Sequence, residues 1–143
     1  MSKYITIVIL LFLFSCNKIE NHKTLSQNDI NRIKSLKILD NDEIIYQFYS
    51  EFKNEFAGNF YTNKRIASYW IDKRDAKKNK TNFAYYKDII KIDTIYNSGL
   101  TYSPYILITT KDNKTFKVYV DGKKDEIKSF FENSLQEWRK RRN

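Results

Sequence analysis

One cysteine, one proline, one histidine and three glycines are spread over 143 residues, and each shortage removes a class of chemistry. A lone cysteine, Cys16, rules out a disulfide within the chain, so a hydrophobic core must carry stability. With His22 as the only histidine, no Ser-His or Cys-His arrangement can be assembled downstream of it, and no His/Cys metal cluster exists. Gly58, Gly99 and Gly122 stand far apart, which leaves no phosphate-cradling loop. A carboxylate pair such as Asp72 and Asp75 is what remains for acid/base work, and hydrolysis would also need a defined pocket. The expectation is no catalytic residue, no metal and no cofactor, with a carboxylate hydrolase as the one enzymatic alternative.

What is present begins at the start of the chain, MSKYITIVILLFLFSC. Lys3 is a short positive region, residues 4–14 form an apolar run interrupted by Thr6, and Ser15 is the small residue that a peptidase needs. Eleven helical residues reach roughly 16 Å, about half of the ~30 Å hydrocarbon core, so the run reads as an export signal and not as a span. Its end, LFSC at residues 13–16, resembles the lipobox of bacterial lipoproteins. The resemblance implies cleavage between Ser15 and Cys16, a thioether-linked diacylglycerol on Cys16, and a membrane held through that anchor. Asn17 in place of aspartate implies outer-membrane delivery. No family is recognised in residues 17–143.

The net charge of +9 invites a nucleic-acid reading, but charge alone locates no reading element, and export argues against it. Lysine, asparagine, isoleucine, tyrosine and phenylalanine are abundant together, as A/T-rich codon usage produces without selection for a ligand. A protein partner is expected and nucleic acid is not.

Residues 1–15 read as the signal peptide, 16–29 as a lipidated polar tether, and 30–143 as one α+β domain. From Ile30, the residues Ile33, Leu36 and Leu39 recur at helical spacing, with Ser26 or Asn28 as caps. Asp40 and Glu43 are spaced like a capping box, and Ile45, Phe48, Tyr49, Phe52 and Phe56 follow on one stripe until Gly58, which predicts an amphipathic helix. Strand-like runs follow at 64–72, 85–96, 104–110 and 115–120, with Pro104 at a strand start. After Gly122, Ile127, Phe131, Leu135 and Trp138 mark a closing helix, with Phe130 beside the stripe. The expected fold is α+β: an antiparallel four-stranded meander with two amphipathic helices packed on one face, and a further N-terminal helix.

Placing Asp112 and Asn113 at a hairpin tip pairs Leu107 with Val118, Thr109 with Phe116 and Tyr105 with Val120 on the core side. The reverse face then carries Ile89, Lys91, Asp93, Ile95, Ile106, Ile108, Lys117 and Tyr119. This half-apolar patch is the candidate binding face for a protein or elongated ligand, unless the chain itself covers it. Lys73, Arg74, Lys77, Lys78 and Lys80 form a candidate basic patch for lipid phosphate or an acidic protein, or else an ordinary solvated loop. Arg139–Arg142 complement the end of the last helix without any ligand, and only convergence of the two clusters would strengthen a binding reading. Residues 40–51 place acids like a calcium loop, but Ile44 and Ile45 stand where a ligand and glycine belong. The functional expectation is a lipid-anchored envelope binding protein without catalytic activity. A small-ligand carrier with a cavity between sheet and helices, and an immunity-type lipoprotein that blocks a toxin, are the alternatives.

Overall fold

A computed structural model describes residues 19–97, 99–100 and 102–143; the leader and Cys16 lie outside the described residues. Ser26 opens helix α1 (Gln27–Ser35) by accepting the Asp29 N–H on its hydroxyl, 3.1 Å, and Ile30 and Ile33 point into the core. The strands are β1 (Ile45–Tyr49), β2 (Ala57–Thr62), β3 (Arg65–Trp70), β4 (Lys80–Tyr85), β5 (Ile89–Ile95), β6 (Tyr105–Thr110) and β7 (Thr115–Tyr119), and helix α2 (Lys124–Arg141) follows. They form two antiparallel sheets, β1-β2-β3-β4 and β5-β6-β7.

The fold is therefore α+β with a four-stranded antiparallel meander, but the meander is β1–β4. The four runs expected to form it divide between the two sheets. The helix expected over residues 40–56 is strand β1 followed by a loop, and its misleading stripe has a structural cause. A bulge between Ile45 and Gln47 shifts the phase of β1, so Ile45 and Phe48 join one apolar cluster while Tyr49 joins the other. An extra residue in a strand turns period two into a spacing of three, which imitates a helix. The Asp40–Glu43 pairing is real, since the Asp40 N–H donates to Glu43 Oε2 at 2.8 Å, but it closes a turn with no helix behind it.

Both faces of the first sheet are covered. One packs with Leu25, Ile30, Ile33, Ile38 and Leu39 of the N-terminal segment over Phe48, Phe60 and Tyr69. The other meets the second sheet and α2, where Tyr61, Ile66, Ile106, Ile108, Phe130 and Phe131 are buried. The two helices consequently belong to different cores and not to one shared face. Each buried Phe or Ile contributes about 1.5–3 kcal/mol. Residues expected as a tether are also structural: Glu20 exchanges both backbone hydrogen bonds with Phe48, 2.8 and 2.7 Å, and Leu25 is buried.

The β6–β7 register differs by one from expectation, pairing Ile106 with Val118 and Ile108 with Phe116. Lys111–Asn113 form a three-residue loop, in which Thr110 N–H donates to the Lys114 carbonyl and Asn113 takes φ 61°. A type I turn followed by a left-handed residue is the standard three-residue hairpin, and asparagine tolerates that conformation. One residue of slip turns β6 over against β7, which keeps Val118 and Val120 inside.

Candidate binding surfaces

That slip, together with a bulge between Ile89 and Lys91 in β5, divides the eight residues expected on one binding face. Ile89, Ile106 and Ile108 are 4%, 0% and 0% exposed and belong to the core. Lys91, Asp93, Ile95, Lys117 and Tyr119 lie on the outer face of the second sheet, where the register adds Tyr105 and Leu107. The Tyr105 and Tyr119 ring centroids are 5.7 Å apart, Lys117 Nζ sits 4.6 Å from the Tyr105 ring, and Lys91 pairs with Asp93 at 3.1 Å. A shallow cleft of about 360 Å³ there is lined by Ile95, Asn97, Tyr102, Tyr105, Lys117 and Tyr119. Aromatic area with a few charges suits protein contact.

The basic patch lies on the β3–β4 connection, where Asp75 caps a 3-10 turn over Ala76–Lys78 by accepting the Lys77 N–H. Asp72 Oδ1 accepts the N–H groups of Arg74 and Asp75, 2.8 and 3.0 Å, and these bonds hold its carboxyl below the usual carboxylate range. Both members of the carboxylate pair thus serve loop geometry. The β1–β2 connection, residues 50–56, lies at the same end of the sheet, and Lys73 Nζ stands 4.1 Å over the ring of Phe56. Phe52 (57% exposed) and Trp70 (42%) project from this end, a signal that the sequence reading missed because it placed Phe52 on a buried helical stripe. Lys53, Lys73, Arg74, Lys77, Lys78 and Lys80 are all exposed. The Arg139–Arg142 cluster is at the opposite end of the first sheet, where Arg141 lines a cleft with Asn63, Lys64 and Lys87. The two basic clusters do not converge.

A wider groove, about 720 Å³, runs along β4 and the β6–β7 hairpin, lined by Phe83, Tyr85, Asp88, Lys111, Asp112 and Phe116 among others. It opens at the seam between two edge strands and not between sheet and helices. Among the described residues no group of three His, Cys, Asp or Glu side chains could hold a metal, and no helix is long and apolar enough to cross a membrane. His22 Nδ1 accepts the Ile45 N–H at 3.2 Å, which gives the only histidine a place in the β1 edge.

The chain matches no family model and no curated protein. It is similar in structure to a DUF1696 family protein with a pleckstrin-homology domain from Shewanella loihica PV-4, with a TM-score of 0.55 at 12% identity, covering 90% of this chain and 100% of that one. At that identity the likeness concerns the fold: two antiparallel sheets closed by a C-terminal helix, a scaffold that hosts many functions.

Proposed function

We propose that this protein is a lipid-anchored cell-envelope binding protein that works without catalysis. Acyl chains on Cys16 hold it at the membrane, with the outer membrane as the destination, and the exposed face of the second sheet engages a protein partner. The observation that carries the reading is the LFSC stretch, placed so that only Asn17 and Lys18 separate Cys16 from Ile19, which already packs against the core. Tyr105, Tyr119, Ile95 and Leu107 supply contact area on the outer face, and Lys91, Asp93 and Lys117 supply orientation. The Asp72 and Asp75 oxygens engaged by backbone N–H groups support a role other than acid/base chemistry.

Mass spectrometry of the native protein tests the anchor: a chain beginning at diacylated Cys16 is expected, and a free thiol or uncut leader overturns it. Crosslinking from membranes, with Tyr119→Lys as the control, tests the face, and a partner captured equally by both proteins overturns that assignment. The carrier reading draws on the 720 Å³ groove, large enough for a small ligand. It requires a ligand to co-purify and to leave when Phe116→Lys fills the groove. The immunity-type role is the case in which the captured partner is a toxin.

A further inference from the structure

The direction in which the chain leaves the domain is set by hydrogen bonds. Glu20 pairs antiparallel with Phe48, and the His22 N–H donates to the Ile45 carbonyl, 3.0 Å. Followed backwards from His22, the chain therefore runs alongside Phe48 and Tyr49 toward the β1–β2 loop. Asn54 of that loop confirms the proximity by donating to Glu20 Oε2 at 2.9 Å. From Ile19 to Cys16 is three residues, a reach of at most about 10 Å. Whatever surface holds Cys16 must lie close to this end of the first sheet.

That end has the composition of a bilayer contact. Phe52 and Trp70 are its exposed aromatics, of the type that settles at headgroup level. Six cations surround them: Lys53, Lys73, Arg74, Lys77, Lys78 and Lys80. None of the six forms an ion pair among the described residues. Glu51, Glu55, Asp72 and Asp75 lie on the same two loops and offset part of this charge. Lys73 over the Phe56 ring, with Phe52 at 6.0 Å from Phe56, joins the two loops into one surface.

Building on the Cys16 anchor, we propose that the β1–β2 and β3–β4 loops dock on a bilayer containing anionic phospholipid. Two or three acyl chains already retain the protein. The loops therefore set its orientation, with Phe52 and Trp70 at headgroup depth and the lysines on lipid phosphates.

The test uses the mature lipidated protein in phosphatidylcholine vesicles with or without about one-third phosphatidylglycerol, with lipids brominated near the top of the acyl chain as quenchers of tryptophan emission. Quenching is expected in the wild type on phosphatidylglycerol vesicles and absent in Trp70→Phe, which identifies Trp70 and not Trp138 as the residue in contact. Combined Lys73→Glu, Arg74→Glu, Lys77→Glu and Lys78→Glu should lower the phosphatidylglycerol-dependent quenching by more than about fivefold, since one cation at an anionic surface is worth about that factor. Equal quenching with and without phosphatidylglycerol, or crosslinking of Lys77 and Lys78 to a protein while Trp70 stays unquenched, overturns the proposal. Mass spectrometry of the same sample separates the two ideas. Diacylated Cys16 with unquenched Trp70 removes the docking surface alone, whereas an unmodified Cys16 removes the anchor.

Discussion

Arg65 and Glu43 form a bidentate ion pair that water does not reach: Nε to Oε1 is 2.8 Å, Nη2 to Oε2 is 2.9 Å, and the side chains are 1% and 0% exposed. Thr62 Oγ1–H and the Asp40 N–H fill the remaining sites on the carboxylate, and the guanidinium lies within 5 Å of the Phe83 and Tyr85 rings. The pair fastens the segment before β1 to the start of β3. Glu43→Ala leaves a buried guanidinium without its strongest partner and should cost about 3–5 kcal/mol in urea unfolding. Glu43→Met combined with Arg65→Met should cost well under the sum of the single changes, because the uncompensated charge is gone.

The β6–β7 register has a direct mutational readout. Ile106 is fully buried opposite Val118, whereas its neighbour Leu107 is half-buried on the outer face opposite Lys117. Ile106→Lys buries an ammonium with no partner and should abolish the cooperative thermal transition, while Leu107→Lys should shift it by only a few degrees. The reverse ranking would restore the register with Leu107 inside.

Gly58 is needed for space. A Cβ there would stand 2.3 Å from a carbon of the Tyr69 ring and 2.7 Å from one of Phe48. Gly58→Ala must displace two buried rings and should destabilise by about 1–3 kcal/mol, measured by denaturant midpoint. Gly58→Ala together with Tyr69→Phe should not recover the loss, since the ring carbons and not the hydroxyl make the clash.

Three buried tyrosines set an alkaline limit. Burial raises the hydroxyls of Tyr61, Tyr69 and Tyr86 above their ordinary value, assisted by Glu137 at Tyr61 and Tyr86 and by Asp29 at Tyr69. Their neutral forms donate to Gln47 Oε1, the Asn54 carbonyl and the Thr62 carbonyl. The stability they contribute is complete below the unfolded value of about 10 and is lost as pH rises toward the folded values. Above pH 10, stability should fall by up to about 4 kcal/mol per pH unit for the three together. Tyrosinate absorbance should show these three appearing with unfolding and not before it. Three tyrosines that titrate freely in the folded protein would contradict this.

Sequence spacing revealed α2, the presence of α1 with Ser26 as one of two candidate caps although its stripe ran on to Leu39 past the end at Ser35, and the approximate positions of β3, β5, β6 and β7. It misplaced β1 because a bulge at Tyr46 gives strand residues a helical interval, and it missed β2, whose six residues are all buried and show no alternation. β4 was absorbed into the end of the basic loop. The binding face failed at two points: two residues at the Lys111–Asn113 turn where the chain uses three, which misplaced Ile106 and Ile108, and a bulge after Ile89 that turns this residue away from Lys91, Asp93 and Ile95. The basic patch was visible as a run of lysines. Its partners, Phe52, Trp70 and the outgoing chain at Glu20, were not, because only folding brings residues 20, 52 and 73 to one end.

The apolar cluster beneath α1 draws all its buried members from Leu25–Tyr69, whereas the other cluster is complete only with Trp138. For a polypeptide delivered amino end first, the earlier cluster can close while about half the length has yet to emerge. The N-terminal segment over the sheet thus shields Phe48 and Phe60 during the interval when β5–β7 are missing, and vectorial assembly need not expose both cores at once.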